Sequence, residues 1–294
     1  MRFGLIGTGP WADKVHGPAL ARLDGVDLVG LWGRSPERAS MLASKLGVPA
    51  YPDVDALIAD VEAVAFAVPP GVQAELAARA ARAGRHLLLE KPVATDPDRA
   101  RSLRDAVDGS GVSSVVFFTD RFIGSQQAWF AEVQRTGGWR GGWLRWFSAL
   151  HTDGNPFGAS QWRQEQGALW DIGPHAVSTL SAALGPIESV RASGGPADLV
   201  ILTFAHAGGA TSTATLSVFA PPAAAGFDAA VWGDAGVLPM PPRPEGALHD
   251  AFGEAVRELV AAAASGAPHP LGIDFGVQVV ELLADAAGQL ADGC

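Results

Sequence analysis

Two short stretches carry the side chains best suited to acid–base chemistry. Residues 169–175 read LWDIGPH, so Asp171 and His175 stand four apart in a stretch otherwise built from apolar residues, Gly and Pro. On a helical first turn that spacing puts both on one face, with Cβ atoms about 5–6 Å apart. Pro174 between them is tolerated only near a helix start, which predicts a helix over DIGPHAVSTLSAALG with the pair at its N-terminal mouth. Histidine moves protons near neutral pH, and Asp171 could orient the imidazole or touch a substrate hydroxyl. The plainer alternative is an Asp cap beside a packed core histidine.

The second stretch is HLLLEKPVA, a buried strand that ends in Glu90-Lys91-Pro92. Alternation sends Glu90 and Lys91 to opposite sides. Pro92 keeps Lys91 extended, and the Lys91–Pro92 bond is a candidate cis bond. In a parallel sheet, ligands lie beyond the carboxyl ends of the strands, where Lys91 falls. A lysine there can stabilise an alkoxide and lower the pKa of a neighbouring acid–base group. An ordinary surface lysine at a strand end is the plainer alternative.

A third stretch implies a ligand. FGLIGTGPWA contains Gly7-x-Gly9-x-x-Ala12 directly after a first strand. Gly7 allows a tight turn, Gly9 lets a pyrophosphate approach the backbone, and Ala12 permits close helix–strand packing. Pro10 suits a first helical turn, and the amides around Thr8 and Trp11 face the phosphates at the positive end of the helix. At the tip of the second strand stand Gly33-Arg34-Ser35, with Arg38 a turn later and no acid at the tip. Arg34 can stack on adenine and pair with a 2′-phosphate, and Ser35 can donate to it, which favours NADP over NAD.

The elements that must position these groups can be read from periodicity. RFGLIG, DLVGLWG, AVAFAV (63–68), HLLLE (86–90) and SVVFF (114–118) are short apolar runs separated by helix-like segments. Strands alternating with helices of this length imply a parallel sheet with crossover helices. After about residue 119 the pattern changes. GWLRWFSAL, ESVRASG, a hairpin around Gly208-Gly209 and a second hairpin in FDAAVWGDAGVLPM predict a mostly antiparallel sheet, and the chain closes with two helices. The expectation is an α/β protein with a dinucleotide-binding domain at 1–118 and an α+β substrate and oligomerisation domain at 119–294. The last helix of the second domain is available to pack back on the first.

The bulk figures bound the function classes. The 294 residues are 48% hydrophobic and 18% charged, a composition that can bury sizeable cores. The net charge of −10 argues against nucleic acid as a main partner. The one cysteine, Cys294, allows no intrachain disulfide. No apolar run approaches the ~18 residues of a membrane helix and the first residues do not read as a signal peptide, so a cytoplasmic location is expected. Trp139, Trp143, Trp146, Trp162 and Trp170 are expected mainly as bulk in a core or at a subunit contact, and Trp11 as packing on the ligand or the next domain.

The chain resembles the Gfo/Idh/MocA family, nicotinamide-dependent oxidoreductases named for glucose–fructose oxidoreductase and inositol dehydrogenase. The resemblance rests on GLIGTGPWA, GRSPERA, VPPGVQAELAARAARAGRHLLLEKPVA, DRF at 120–122 and WRQEQGALWDIGPH. It implies a Rossmann domain, and a second domain with a large open sheet through which relatives commonly form dimers or tetramers. It also implies hydride transfer between NAD(P) and a secondary alcohol or ketone of a sugar, polyol or related small molecule, with no metal. A non-catalytic dinucleotide or sugar sensor on the same scaffold is the alternative, since fold does not fix function. By the same resemblance Lys91, Asp171 and His175 match the catalytic trio, and which of Lys91 and His175 accepts the proton stays open. Pro69-Pro70 match an element bordering the nicotinamide ribose, Glu90 and Lys91 border the coenzyme, and Arg121 and Trp162-Arg163 match positions near the substrate. Gln73, Asp120 and the single Gly167 depart from the family pattern, and these departures are expected around the substrate.

Overall fold

The structure is a computed structural model that describes residues 1–152, 155, 158 and 161–292; Cys294 lies outside the described residues. The chain divides into two compact units, residues 1–122 with 246–278, and residues 123–245 with 279–294.

The first unit is built on β1 (Arg2–Ile6), α1 (Gly17–Leu20), β2 (Asp27–Trp32), α2 (Pro36–Leu46), α3 (Val54–Ala59), β3 (Ala63–Phe66), α4 (Pro70–Arg82), β4 (His86–Glu90), α5 (Pro97–Ser110) and β5 (Ser114–Phe117). The strands form one five-stranded parallel sheet in the order β2-β1-β3-β4-β5. Strands covered on both faces read as unbroken apolar runs, and Ala63 to Phe66 of β3 are all fully buried. The helices start and stop where side-chain chemistry directs. Ser35, Asp53 and Asp96 cap α2, α3 and α5, accepting from Arg38 N, Ala56 N and Arg99 N, while Gly47 and Gly111 end α2 and α5 in the left-handed conformation. The short α3 carries no clear periodic signal in the sequence.

The second unit contains α6 (Gly124–Thr136), β6 (Trp139–Phe147), α7 (Gln161–Asp171), α8 (Gly173–Leu184), β7 (Ile187–Gly194), β8 (Val200–His206), β9 (Thr211–Ser217), β10 (Gly226–Gly233) and β11 (Gly236–Pro239). Its six strands run β11-β10-β6-β9-β8-β7, antiparallel throughout except for the parallel pair β6–β9. Both expected hairpins form, with Gly209 at positive φ in the β8–β9 turn. α8 packs on β6 and β9, so Leu144, Ala214 and Leu216 are buried beneath it.

Two further helices close the chain, α9 (Ala247–Ser265) and α10 (Ile273–Asp292). The sequence pattern places α9 with the second domain, but in the contact-defined division it belongs to the first unit. The reason is its apolar stripe: Phe252, Val256 and Leu259, each fully buried, have the i, i+4, i+7 spacing of one helical face. That face lies on β4 and β5. Among the described residues, no helix is long and apolar enough to cross a membrane.

Candidate functional site

In an open parallel sheet the ligand crevice lies at the strand carboxyl ends, where the strand order reverses. Here that point is between β1 and β3. Gly7 comes directly after β1 at φ +135°, donates its N–H to Trp32 O at 2.9 Å, and lies so close to the next turn that a Cβ would meet Ala67 O at 2.4 Å. Only glycine fits there. At Gly9 the reverse holds: a Cβ would find nothing within 4 Å. The backbone is thus open where a pyrophosphate would need to approach it. Residues 10–20 are helical, with Ala12–His16 in the wider π form and Asp13 N bonded to Gly9 O at 3.0 Å. The amides of Trp11 and Ala12 lie in the first turn, whose N–H groups have no acceptor inside a helix. An open backbone at a positive helix end is therefore present, and these donors suit the phosphates of a dinucleotide.

The tip of β2 packs against this turn. A Cβ on Gly33 would meet Thr8 Cγ2 at 2.4 Å, so glycine here makes room for the Thr8 side chain. Arg34 and Arg38 are exposed. Ser35 differs from the expectation of a free donor. Its Oγ accepts from Arg38 N at 3.3 Å and donates to Glu37 Oε2 at 2.8 Å. The carboxyl group of Glu37 is held below its ordinary range by its own backbone amide and then by Ser35. The strand tip has no acid of its own, but the next helix delivers one.

Lys91 lies just past β4 and is buried, and its bond to Pro92 is cis. What holds this turn is Gln73 of α4, fully buried: its side-chain oxygen accepts from Glu90 N at 2.8 Å, and its side-chain nitrogen donates to Glu90 O at 2.7 Å and Pro92 O at 3.3 Å. Gln73 thus serves the lysine turn rather than a substrate, which corrects the expectation from the family pattern. Pro69 and Pro70 set the start of α4, with Pro69 O accepting from Val72 N and Gln73 N at 3.0 and 2.9 Å. Arg121 lies in a short 3-10 turn, Thr119–Phe122, in this same unit. Burial lowers its pKa and the facing carboxylate of Glu258 opposes that shift, so a carboxylate of α9 already attends its charge. Asp120 beside it is buried.

In the second unit the structure corrects the helix start. Asp171 ends α7 and His175 is in the first turn of α8, with Ile172 between them as the N-cap residue and no side-chain cap. The helical path barely breaks, since Ile172 N bonds Ala168 O at 2.9 Å and His175 N bonds Ile172 O at 2.9 Å. Asp171 is therefore no cap. Its Oδ1 receives Arg163 Nε at 3.1 Å, and both side chains are about nine-tenths buried. Arg163 and its neighbour Trp162, 5.7 Å from the guanidinium, come from the same α7. The Arg163–Asp171 salt bridge thus lies within this unit. Breaking a buried pair of this kind from one side costs about 3–5 kcal/mol.

α7 kinks at Gly167, φ +61°. The short run after the kink is capped by Asp198, a residue with no signal in the sequence. Its carboxylate accepts from Ala168 N at 3.1 Å, Ser217 Oγ at 2.6 Å and Val218 N at 2.8 Å. It ties the segment leading to Asp171 and His175 onto the end of β9. Replacing Asp198 with alanine leaves these donors unmet, and each costs about 1–3 kcal/mol. The expected result is a drop in urea unfolding free energy of about 2 kcal/mol or more; a change under about 0.5 kcal/mol would show that water replaces the carboxylate at no cost.

His175 is buried, its ring 5.5 Å from that of Trp146 on β6. The guanidinium of Arg243 stands 4.6 Å over the same Trp146 ring, and Phe227 meets Trp146 edge-on at 5.4 Å. Trp146 is therefore packed among His175, Phe227 and Arg243. Trp143 instead donates to Asp228 at 2.8 Å. Neither Arg243, in a Pro-rich loop, nor Asp198 can be found from spacing. Lys91 belongs to the first unit and the Asp171–His175 pair to the second.

A parallel sheet with a glycine cradle at its switch point defines a dinucleotide-binding Rossmann protein, here joined to an open-sheet α+β unit. The model described as "Oxidoreductase family, NAD-binding Rossmann fold" matches residues 1–118, and the GFO/IDH/MocA C-terminal domain model matches residues 140–238. The chain belongs to the Gfo/Idh/MocA family of oxidoreductases. The UDP-N-acetylglucosamine 3-dehydrogenase of Acidithiobacillus ferrooxidans is 37% identical over 103 residues, 35% of this chain and 32% of the relative. The D-xylose 1-dehydrogenase (NADP(+)) 2 of Haloferax volcanii is 34% identical over 125 residues, 42% of this chain and 38% of the relative. These matches span about a third of the curated relatives' length. The crystal structure of GenD2 from gentamicin A biosynthesis in complex with NAD superimposes with a TM-score of 0.87 at 23% identity, covering 100% of this chain and 95% of that one. That similarity shows the fold.

Proposed function

We propose that the protein is an NAD(P)-dependent dehydrogenase or reductase acting on a secondary alcohol, or the corresponding ketone, of a sugar, polyol or related small molecule. The observation that carries this is the buried Lys91 at the carboxyl end of β4, locked by Gln73 in the sheet that bears the open glycine cradle. A bound nicotinamide dinucleotide supplies the hydride acceptor or donor. The side chains supply the rest. The Lys91 ammonium stabilises negative charge on the substrate oxygen as its proton leaves. His175 takes that proton in the oxidative direction and returns it in the reductive one. Asp171, held by Arg163, anchors the segment before His175 and presents a carboxylate to a substrate hydroxyl. Glycine cradle, Gly33 and Pro69-Pro70 seat the dinucleotide, and alignment supplies much of the rate. The relatives named for sugar substrates support a sugar-like substrate here.

The coenzyme favoured is NADP, because the exposed Arg34 stands at the β2 tip where a 2′-phosphate would lie. Glu37 works against it and must release Ser35 when the phosphate binds. Titration with NADP and NAD, then a panel of sugars and polyols read at the nicotinamide absorbance, tests both statements. Arg34→Ala is expected to weaken NADP binding by about tenfold or more, with NAD little changed. Glu37→Gln is expected to shift the ratio towards NADP. Wild-type protein with a large preference for NAD, or with no turnover on any substrate, would overturn the respective part.

A further inference from the structure

Behind the Lys91 turn stands a residue that the proposed chemistry does not use. His16 lies at the end of the π-helical segment of the helix that begins at the glycine cradle, and only 1% of it is exposed. Its Nε2 is 2.8 Å from Glu90 Oε1. Its ring stacks on Phe252 at 4.0 Å between centroids, meets Phe117 edge-on at 6.2 Å, and lies 6.5 Å from Trp11. Its Nδ1 is buried with no hydrogen-bond partner among the described residues.

An aromatic cage of this kind would hold a phenylalanine or leucine without burying an unsatisfied nitrogen. A histidine carries that cost, so its value here lies in the nitrogen that reaches Glu90. With a carboxylate as acceptor, Nε2 carries the proton and donates. Glu90 is the residue directly before Lys91. Its backbone is gripped on both sides by Gln73 of α4, and its side chain is gripped by His16. The two anchors come from different elements, and one of them is the helix that receives the phosphates.

We propose that His16 is a positioning residue for Lys91. Through Glu90 it ties the lysine turn to the helix of the dinucleotide cradle, so that the lysine's direction is set relative to the bound coenzyme. The inference deepens the hydride-transfer reading and rests on it. A lysine ammonium displaced by about 1 Å from a reacting oxygen can lose on the order of a hundredfold in rate.

The test uses His16→Phe, which keeps the stacking and removes the donor, and His16→Gln, which restores an N–H at similar reach. The chain has three lysines, Lys14, Lys45 and Lys91, so reductive ¹³C-methylation gives an assignable spectrum on the coenzyme-free protein. The Lys91 resonance is expected to move in His16→Phe, with those of Lys14 and Lys45 unchanged, and to return in His16→Gln. On the unlabelled enzyme, His16→Phe is expected to lose about ten- to a hundredfold in kcat, with dinucleotide Kd changed less than about threefold. A folded His16→Phe protein with an unmoved Lys91 signal and kcat within about twofold of wild type overturns the proposal. Should that variant fail to fold, His16→Leu, which keeps an apolar side chain in the cage and removes the donor, is held to the same two criteria. Wild-type protein without turnover would sink the hydride-transfer reading itself, whereas the lysine spectrum judges the coupling to His16 independently.

Discussion

Lys91→Met is expected to fold, to bind dinucleotide, and to lose about 10²–10⁴ in kcat, or roughly 3–5 kcal/mol of transition-state stabilisation. Methionine keeps the unbranched apolar stem that a buried side chain needs here and discards the ammonium. The Gln73 clamp acts on the backbone of Glu90 and Pro92, so the turn itself does not depend on the lysine side chain. If the charge acts only on an oxygen that becomes negative during reaction, kcat and kcat/KM fall together while KM hardly moves. Lys91→Arg is expected to recover little, because a planar guanidinium does not replace a compact ammonium in a packed site. Steady-state kinetics beside a dinucleotide titration decide the matter. A Lys91→Met enzyme with half the wild-type kcat would take this lysine out of the chemistry.

The glycine cradle yields the second large effect, and it separates folding from binding. Gly7→Ala must place a methyl group 2.4 Å from Ala67 O at φ +135°, where the obstacle is backbone and cannot rotate away. Conformational strain of about 1–3 kcal/mol and overpacking of a similar size add, so a loss of about 3 kcal/mol or more in unfolding free energy is expected. Gly9→Ala meets nothing within 4 Å. Its stability should stay within about 0.5 kcal/mol of wild type, while the methyl group fills the space a pyrophosphate would use. Dinucleotide affinity should fall by about tenfold or more. Urea melts and calorimetric titrations on both variants give a clear contrast. Equal dinucleotide affinity in wild type and Gly9→Ala would show that the cradle binds no phosphate.

Much of the architecture can be read from local pattern. Unbroken apolar runs at β3, β4 and β5 leave little choice but strands buried on both faces, and the capping residues Ser35 and Asp96 mark two helix starts, whereas the short α3 capped by Asp53 has too few turns to show a period. The hairpin at Gly208-Gly209 is equally local. The start of α8 is a harder case. Pro174 correctly signals a first helical turn, but Asp171 belongs to the helix before it, because Ile172 continues the hydrogen bonding from Ala168. A proline constrains the helix on its C-terminal side favourably, by presetting φ, but leaves open whether another helix ends just before it.

The chemistry available is written in the residues themselves: a lysine at a strand end, a carboxylate and an imidazole four apart, and a glycine turn in which Gly9 leaves backbone open to a phosphate. The sequence also determined the alternation of elements that makes a parallel sheet in one half and an antiparallel sheet in the other. Only the tertiary structure decided what holds those groups still. His16 reaches Glu90 across 74 residues, Gln73 reaches it across 17, and Asp198 reaches Ala168 across 30. It likewise decided that α9 completes the core of the first unit. Periodicity is a property of neighbours along the chain, whereas a buried polar side chain finds its partner wherever packing brings a donor within about 3 Å, and no spacing in the sequence encodes that distance.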